Sequence, residues 1–283
     1  MAPPAPRPAD DHRADREAGA VVYPVISRRS GGLSLGINLF PDRKVCSFDC
    51  PYCEVFPFST ELRFSPAALE RGLRSAVADA DRRGLPARDI CFSGNGEPTL
   101  SPAFPEALSL AGRLRDELCP AASLVVITNA STLADEPTAA LLRGAARPRD
   151  AGGLALDLWV KLDAGTAEWY AAIDRSPVPF AALLRGIEAF LSSSPATIQT
   201  MLCAVDGAGP SAAETDAWLA LAVRLARTGN VRRFHLYGKA RPAPEDPRAE
   251  ALPDAALEER AARLRSALAG AVPSSPVPVE VFP

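Results

Sequence analysis

Between residues 33 and 237, short apolar runs alternate with longer amphipathic stretches, and this alternation constrains the fold more than any other feature of the chain. The runs LSLGINL (33–39), DICFS (89–93), SLVVITN (123–129), LDLWVKLD (156–163), TIQTMLC (197–203) and RRFHLYG (232–238) read as strands. Helical spacing fills the intervals at 66–82, 103–118, 134–145, 179–192 and 213–228. The last of these opens on acidic residues and closes on Arg and Gly, as a capped helix does. Strands that alternate with helices build parallel βαβ units. Six strands over about 205 residues give roughly 34 residues per unit, against the ~30 or more that such a unit takes. A complete eight-unit barrel takes about 250. The expected fold is therefore α/β, a partial, open TIM-like βα barrel of about six units with parallel strands. A doubly wound open sheet has the same periodicity and stands as the competing architecture.

Around this core the sequence divides into three parts. Residues 1–20, rich in Pro, Ala and charge, are expected to form a disordered tail, and 21–240 the core domain. Residues 241–283 form a C-terminal extension, with a Pro-rich loop, a helix near 254–269 and a short terminal strand in VPVEVF (277–282). No apolar run approaches the ~18–20 residues of a membrane span, and the N-terminus lacks the apolar centre of a secretory signal. A cytoplasmic location and no membrane partner are expected. The formal net charge of −3 provides no basic field for non-specific binding to a polyanion.

Three of the six cysteines, Cys46, Cys50 and Cys53, crowd into eight residues, whereas Cys91, Cys119 and Cys203 are scattered. In a reducing compartment this pattern points to metal or cluster ligation rather than to a disulfide framework. The crowded three lie in GINLFPDRKVCSFDCPYCEVFPF (36–58), directly after the 33–39 strand. Ligand chemistry collects at the carboxyl edge of strands in parallel α/β folds. Tetrahedral zinc takes four ligands, usually from paired knuckles, and no second knuckle is present. A cubane iron–sulfur cluster also usually takes four cysteines, so three would leave one iron open to an exogenous ligand. Structural zinc with a distant fourth ligand stays open beside the cluster on spacing alone.

Cys46-x3-Cys50-x2-Cys53, with Tyr52 before the third cysteine, resembles the CxxxCxφC signature of the radical S-adenosylmethionine (SAM) superfamily, φ being aromatic. SGNGEPTL (93–100) resembles that family's Gly-Gly-Glu-Pro motif. ITNAS and KLDAG follow in the right order, so the likeness covers roughly residues 25–240 and is similar to a bacterial and archaeal group related to the wyosine-forming tRNA enzymes. The resemblance implies that Cys46, Cys50 and Cys53 bind three irons of a [4Fe–4S] cluster, the fourth taking the amino and carboxylate groups of SAM. Gly94, Asn95, Gly96 and Glu97 would lie beside the methionyl group, Tyr52 against adenine, and Asn129 and Asp163 within reach of the ribose. Reduction of the cluster by a low-potential, flavodoxin- or ferredoxin-like donor would cleave SAM to a 5′-deoxyadenosyl radical that abstracts hydrogen from a substrate. A tRNA base, a peptide and a small metabolite all stay open as that substrate, and the charge does not indicate tRNA. The reading from a different class is a non-catalytic zinc- or iron–sulfur-binding structural or regulatory module.

Several of these positions have a plainer reading. Asn95 stands where the family usually has Gly, which Asn tolerates because it enters left-handed conformations readily. Asn129 could cap a turn and Asp163 the following helix. Lys161 shares a strand face with Asp163, and Gln199 shares one with Met201. Lys161 needs a partner, either Asp163 or a substrate; in the wyosine-forming relatives a lysine forms a Schiff base with pyruvate, and whether Lys161 has that part stays open. His235 is expected to be a core histidine, and Cys91 and Cys203 core packing residues.

Overall fold

The computed structural model describes residues 20–55, 57–241, 243, 246–274 and 276–283. The tail expected at the N-terminus thus lies, except for Ala20, outside the described residues. The chain divides into two compact units: Met1–Cys46, Pro57–Thr128 and Gly144–Asp157 form one, and Ser47–Phe56, Asn129–Arg143 and Leu158–Pro283 the other.

In the first unit β1 (Val22–Ser27), β2 (Gly32–Ile37), β3 (Asp89–Phe92) and β4 (Ser123–Thr128) lie side by side in that order. β1 pairs antiparallel with β2, and the other two pairings are parallel, with Leu35 opposite Ile90 and Ile90 opposite Leu124. Leu33 through Ile37 are all buried, as expected of a parallel strand covered on both faces. Two helices cover the unit. In α1 (Pro66–Arg82) Leu69, Leu73 and Val77 fall at four-residue intervals on one buried face. Ser65 caps it, its hydroxyl accepting from the Ala68 N–H at 3.2 Å, and Pro66 fits the first turn, where no N–H is needed. In α2 (Phe104–Leu118) Phe104 meets Phe92 edge to face, with centroids 5.6 Å apart.

The second unit continues from Leu158 in β5 (Leu156–Lys161), followed by β6 (Ala196–Val205), β7 (Val231–Gly238) and β9 (Val279–Phe282), each pair parallel. β8 (Ala249–Ala251) pairs antiparallel with the end of β6. The register aligns Lys161, Gln199, His235 and Glu280 in one row across four strands. His235 is fully buried between the rings of Trp159 and Phe282, with Nε2 3.1 Å from a Glu280 carboxylate oxygen. The helices are α3 (Glu136–Ala146), α4 (Ala167–Ile173), α5 (Phe180–Leu191), α6 (Ala212–Ala226) and α7 (Asp254–Ala271). Trp218 of α6, 1% exposed, donates from its indole N–H to the Leu162 carbonyl at 3.1 Å.

The six expected strands are β2 to β7, so the 33–39 run is the second strand of the chain. The terminal run forms β9. The periodicity missed three elements: β1, β8 and α4. β1 carries Pro24 and is only half-buried along its length, as an edge strand is. β8 is three residues long inside the Pro-rich segment, and α4 makes only two turns. Among the described residues no helix is long and apolar enough to cross a membrane.

Packing at two glycines sets up a test. A Cβ on Gly165 would lie 2.1 Å from the Trp218 backbone nitrogen, which cannot move aside, whereas one on Gly144 in α3 would meet nothing within 4 Å. Gly165→Ala is expected to lower the stability read by thermal unfolding by about 1–3 kcal/mol or more. Gly144→Ala should raise it, by about 0.5–1 kcal/mol, because Gly costs conformational entropy in a helix.

Candidate functional site

In the first unit the chain leaves β2 at Ile37, and Asn38 is buried at the turn-out. Its Oδ1 accepts from the Phe40 N–H at 3.0 Å and from the Asn95 N–H at 3.3 Å. Asn95 in turn donates its side-chain amide to the Phe40 carbonyl at 3.1 Å. The loop after β2 and the GNGEP turn after β3 are thus tied together from both sides.

The two glycines of that turn have positive φ, +110° at Gly94 and +146° at Gly96. At Gly96 the requirement is absolute, since a Cβ would lie 1.7 Å from the Val45 carbonyl oxygen. The close approach is a backbone bridge: the Val45 N–H donates to the Asn95 carbonyl at 3.0 Å, and the Glu97 N–H donates to the Val45 carbonyl at 2.9 Å. Val45 immediately precedes Cys46. Asn95, by contrast, does not have positive φ among the described residues. The left-handed tolerance of Asn is therefore not called on here, since the backbone at this position does not require glycine.

Glu97 is buried, and its Oε1 accepts from the Thr99 N–H at 3.2 Å, the Thr99 hydroxyl at 2.6 Å and the Thr128 hydroxyl at 2.9 Å. It caps the short 3-10 turn at Pro98–Leu100 and joins it to the end of β4.

In the second unit the segment from Ser47 to Glu54 is held at most of its non-cysteine positions. Asn129 donates to the Ser47 hydroxyl at 3.0 Å, and the Ser47 hydroxyl donates to Ser131 at 2.7 Å. The Asn129 carbonyl oxygen of the side chain accepts from the Ser131 N–H at 3.0 Å across Ala130, whose φ is +65°. Phe48 meets Tyr170 edge to face at 5.8 Å, and the Asp49 N–H donates to the Asp174 carbonyl at 3.1 Å. The Tyr52 hydroxyl donates to the Asp163 carboxylate, and Arg241 binds Glu54 at 2.8 Å. The Cys53 N–H closes a turn on the Cys50 carbonyl at 3.0 Å.

Lys161 is the centre of this arrangement. Its ammonium lies 2.8 Å from Asp163 and bonds Asp174, all three side chains being nearly or fully buried. It also sits over the Phe48 and Tyr52 rings, at 4.9 and 5.3 Å from their centroids. Asp163 additionally accepts from the Met201 N–H at 2.9 Å. Burial, and then the Asp163 charge, hold the Tyr52 phenol well above its ordinary pKa, so it stays neutral and donating. Of the expected residues, the first unit holds Cys46, Gly94, Asn95, Gly96 and Glu97, and the second holds Cys50, Tyr52, Cys53, Asn129 and Asp163. Asn38, Ser47, Tyr170, Asp174 and Arg241 are additions that motif reading missed. Ser47 and Asn38 could have been suspected from their place in the loop; Asp174 and Arg241 carry no local signal.

None of the six cysteines is in a disulfide. Cys46 is exposed and Cys50 and Cys53 are half-buried, whereas Cys91 and Cys203 are buried. Among the described residues no group of three or more His, Cys, Asp or Glu side chains is gathered as a single metal ion requires. Three cysteines are the donor set that a cubane cluster with one open iron takes, each thiolate on a different iron.

No family model matches the sequence. A UPF0026 protein of Helicobacter pylori (strain ATCC 700392 / 26695) is 35% identical over 95 residues, which is 33% of this chain and 30% of that protein. The structure is similar to that of a radical SAM methyltransferase from Sphaerobacter thermophilus, with a TM-score of 0.55 at 17% identity, over 88% of this chain and 66% of that one. It is also similar to SuiB of Streptococcus suis solved with S-adenosylmethionine, at a TM-score of 0.56 and 13% identity over 84% of this chain and 45% of that one. TYW1 bearing a lysine–pyruvate adduct matches at 0.50 and 14% identity, over 84% and 73%. The chain has the fold of the radical SAM enzymes, the partial parallel βα barrel that its alternating strands and helices led us to expect.

The thiols should divide by reactivity. Burial holds the Cys91 thiol far up and pushes the Cys203 thiol up to about 12. At pH 8 only about one part in ten thousand of Cys203 is then thiolate, the nucleophilic form. Iodoacetamide treatment of the metal-free folded protein, read by peptide mass spectrometry, is expected to alkylate Cys46, Cys50 and Cys53 and to leave Cys91 and Cys203 unmodified until denaturant is added.

Proposed function

We propose that the chain is a radical SAM enzyme whose cysteine loop holds a [4Fe–4S] cluster. The observation that carries this reading is the backbone bridge from Val45 to Asn95 and Glu97, which joins the approach to Cys46 to the turn that resembles the family's SAM-binding motif. A zinc module has no use for that second motif, nor for two glycines held at positive φ beside the first cysteine. Bound to Cys46, Cys50 and Cys53, a cluster would supply one electron to the sulfonium of SAM, releasing methionine and a 5′-deoxyadenosyl radical for hydrogen abstraction.

This chain's own residues do the holding. Gly94 and Gly96 are assigned to the turn beside the methionyl group, their missing Cβ atoms leaving room for Asn38 and Val45, and the Glu97 carboxylate, already receiving N–H and O–H donors, is suited to an ammonium. Tyr52 presents a buried ring to adenine. Asp163 and Asn129 are assigned to the ribose, and both also fix the loop through Tyr52 and Ser47. Lys161 is engaged by two carboxylates, which supports a positioning role; as a Schiff-base nucleophile it would have to leave both. Residues 21–240 would form the catalytic core, in the cytoplasm, with a low-potential flavodoxin- or ferredoxin-like donor as redox partner. The substrate class stays open among a tRNA base, a peptide and a small metabolite.

Anaerobic reconstitution with iron and sulfide, followed by SAM and dithionite, tests the proposal. The expected product is a brown protein with about four irons that releases 5′-deoxyadenosine. Cys50→Ala should lose both properties and Cys119→Ala should keep them. A colourless protein that holds zinc and leaves SAM intact would overturn the reading. Gly96→Ala should fold yet lose most cluster loading, because its Cβ displaces Val45 and with it Cys46.

A further inference from the structure

A second site lies on the helical side of the second unit, between the first turn of α6 and α7. There a cavity of about 310 Å³ opens, near the lower end of ligand-pocket sizes. Leu202 at the end of β6, Leu252, Pro210 and Ala256 form an apolar wall. Arg260 and Arg263, one helical turn apart on α7, also line it, together with Thr215 of α6 and the exposed Glu259.

The two arginines are not equally provided for. Arg263 pairs with Asp216, an exposed carboxylate. Arg260 is more deeply set; it donates to the Thr215 hydroxyl at 2.6 Å and stacks at 5.7 Å from the Trp218 ring. Among the described residues Arg260 has no carboxylate within ion-pair distance. Desolvation, and then the like charge of Arg263, press its pKa down, while the more distant Glu214, Glu259 and Asp216 pull the other way. A partly buried cation beside a second cation, both lining one cavity, is an arrangement that an anion would relieve. The amino end of α6, whose first residue Ala212 lines the cavity, adds a positive helix terminus.

We propose that this cavity binds a small amphiphilic oxyanion, a compound with a carboxylate or phosphate head and a compact apolar body. The planar guanidinium of Arg260 takes the head in bidentate fashion, Arg263 and Thr215 complete the contact, and Leu202 and Leu252 cover the apolar part. The inference does not rest on the reading of the cysteine loop, and its test needs no cluster.

Metal-free folded protein is titrated with phenyl phosphate, benzoate and the neutral benzamide, by calorimetry and by tryptophan fluorescence, since Trp218 adjoins Arg260. At least one anion is expected to saturate a single site, with benzamide about tenfold weaker or more, and comparison of the two anions identifies the preferred head. Arg260→Gln should weaken binding about tenfold or more, and Arg224→Gln, on the far part of α6 and paired with Glu188, should leave it unchanged. Should Arg260→Gln not fold, Arg263→Gln, whose partner is exposed, serves in its place with a smaller loss expected. Absence of saturable binding by either anion up to about 10 mM, equal binding of benzamide, or undiminished affinity in the folded arginine variants would each overturn the proposal.

Discussion

The ion pairs of Lys161 with Asp163 and Asp174 are the interaction on which the second unit's site depends. Three charged side chains taken from water are costly unless each finds partners, and here they satisfy one another. Asp163 also takes the Tyr52 hydroxyl and the Met201 N–H, and the Asp174 backbone takes the Asp49 N–H. Removing the ammonium would leave two buried carboxylates facing each other and would loosen the loop at Phe48, Asp49 and Tyr52 together. The network joins the end of β5, the end of α4 and the middle of the cysteine loop in one polar cluster.

The loop itself follows a simple division of labour. Ser47, Phe48, Asp49, Tyr52 and Glu54 spend their side chains or backbone on the body of the second unit, while the cysteines between them keep their thiols accessible or half-exposed. A ligand loop must be rigid before its ligand arrives if it is to bind without a large ordering cost. In the first unit the bridge from Val45 to the GNGEP turn fixes the backbone next to Cys46 in the same way. Buried Cys91 and Cys203 show the opposite environment, in which a thiol is held protonated and packs as a small hydrophobe.

Much of this was legible beforehand, for local reasons. The 66–82 helix is read to the residue because Ser65 and Pro66 mark its start and Leu69, Leu73 and Val77 its buried face. The strands from 33 to 238 were found because parallel strands buried on both faces are short, apolar and β-branched. β1, β8 and α4 escaped because a proline-bearing edge, a three-residue pairing and a two-turn helix leave little periodicity. The setting of Asn95 is not legible locally: its φ is not positive, and its side chain bonds the Phe40 carbonyl, 55 positions away.

The sequence by itself determined the alternating strand–helix architecture and marked the two loops at its strand ends. Cysteine spacing, the glycines of GNGEP and the strand–helix alternation are all properties of residues near one another along the chain. Only the tertiary structure decided which groups support them: Asp174 on Lys161, Asn129 on Ser47, Thr128 on Glu97, and Arg260 beside a cavity instead of in an ion pair. Those contacts depend on which distant segments the packed core brings within 3 Å, and no local pattern of side chains encodes that distance.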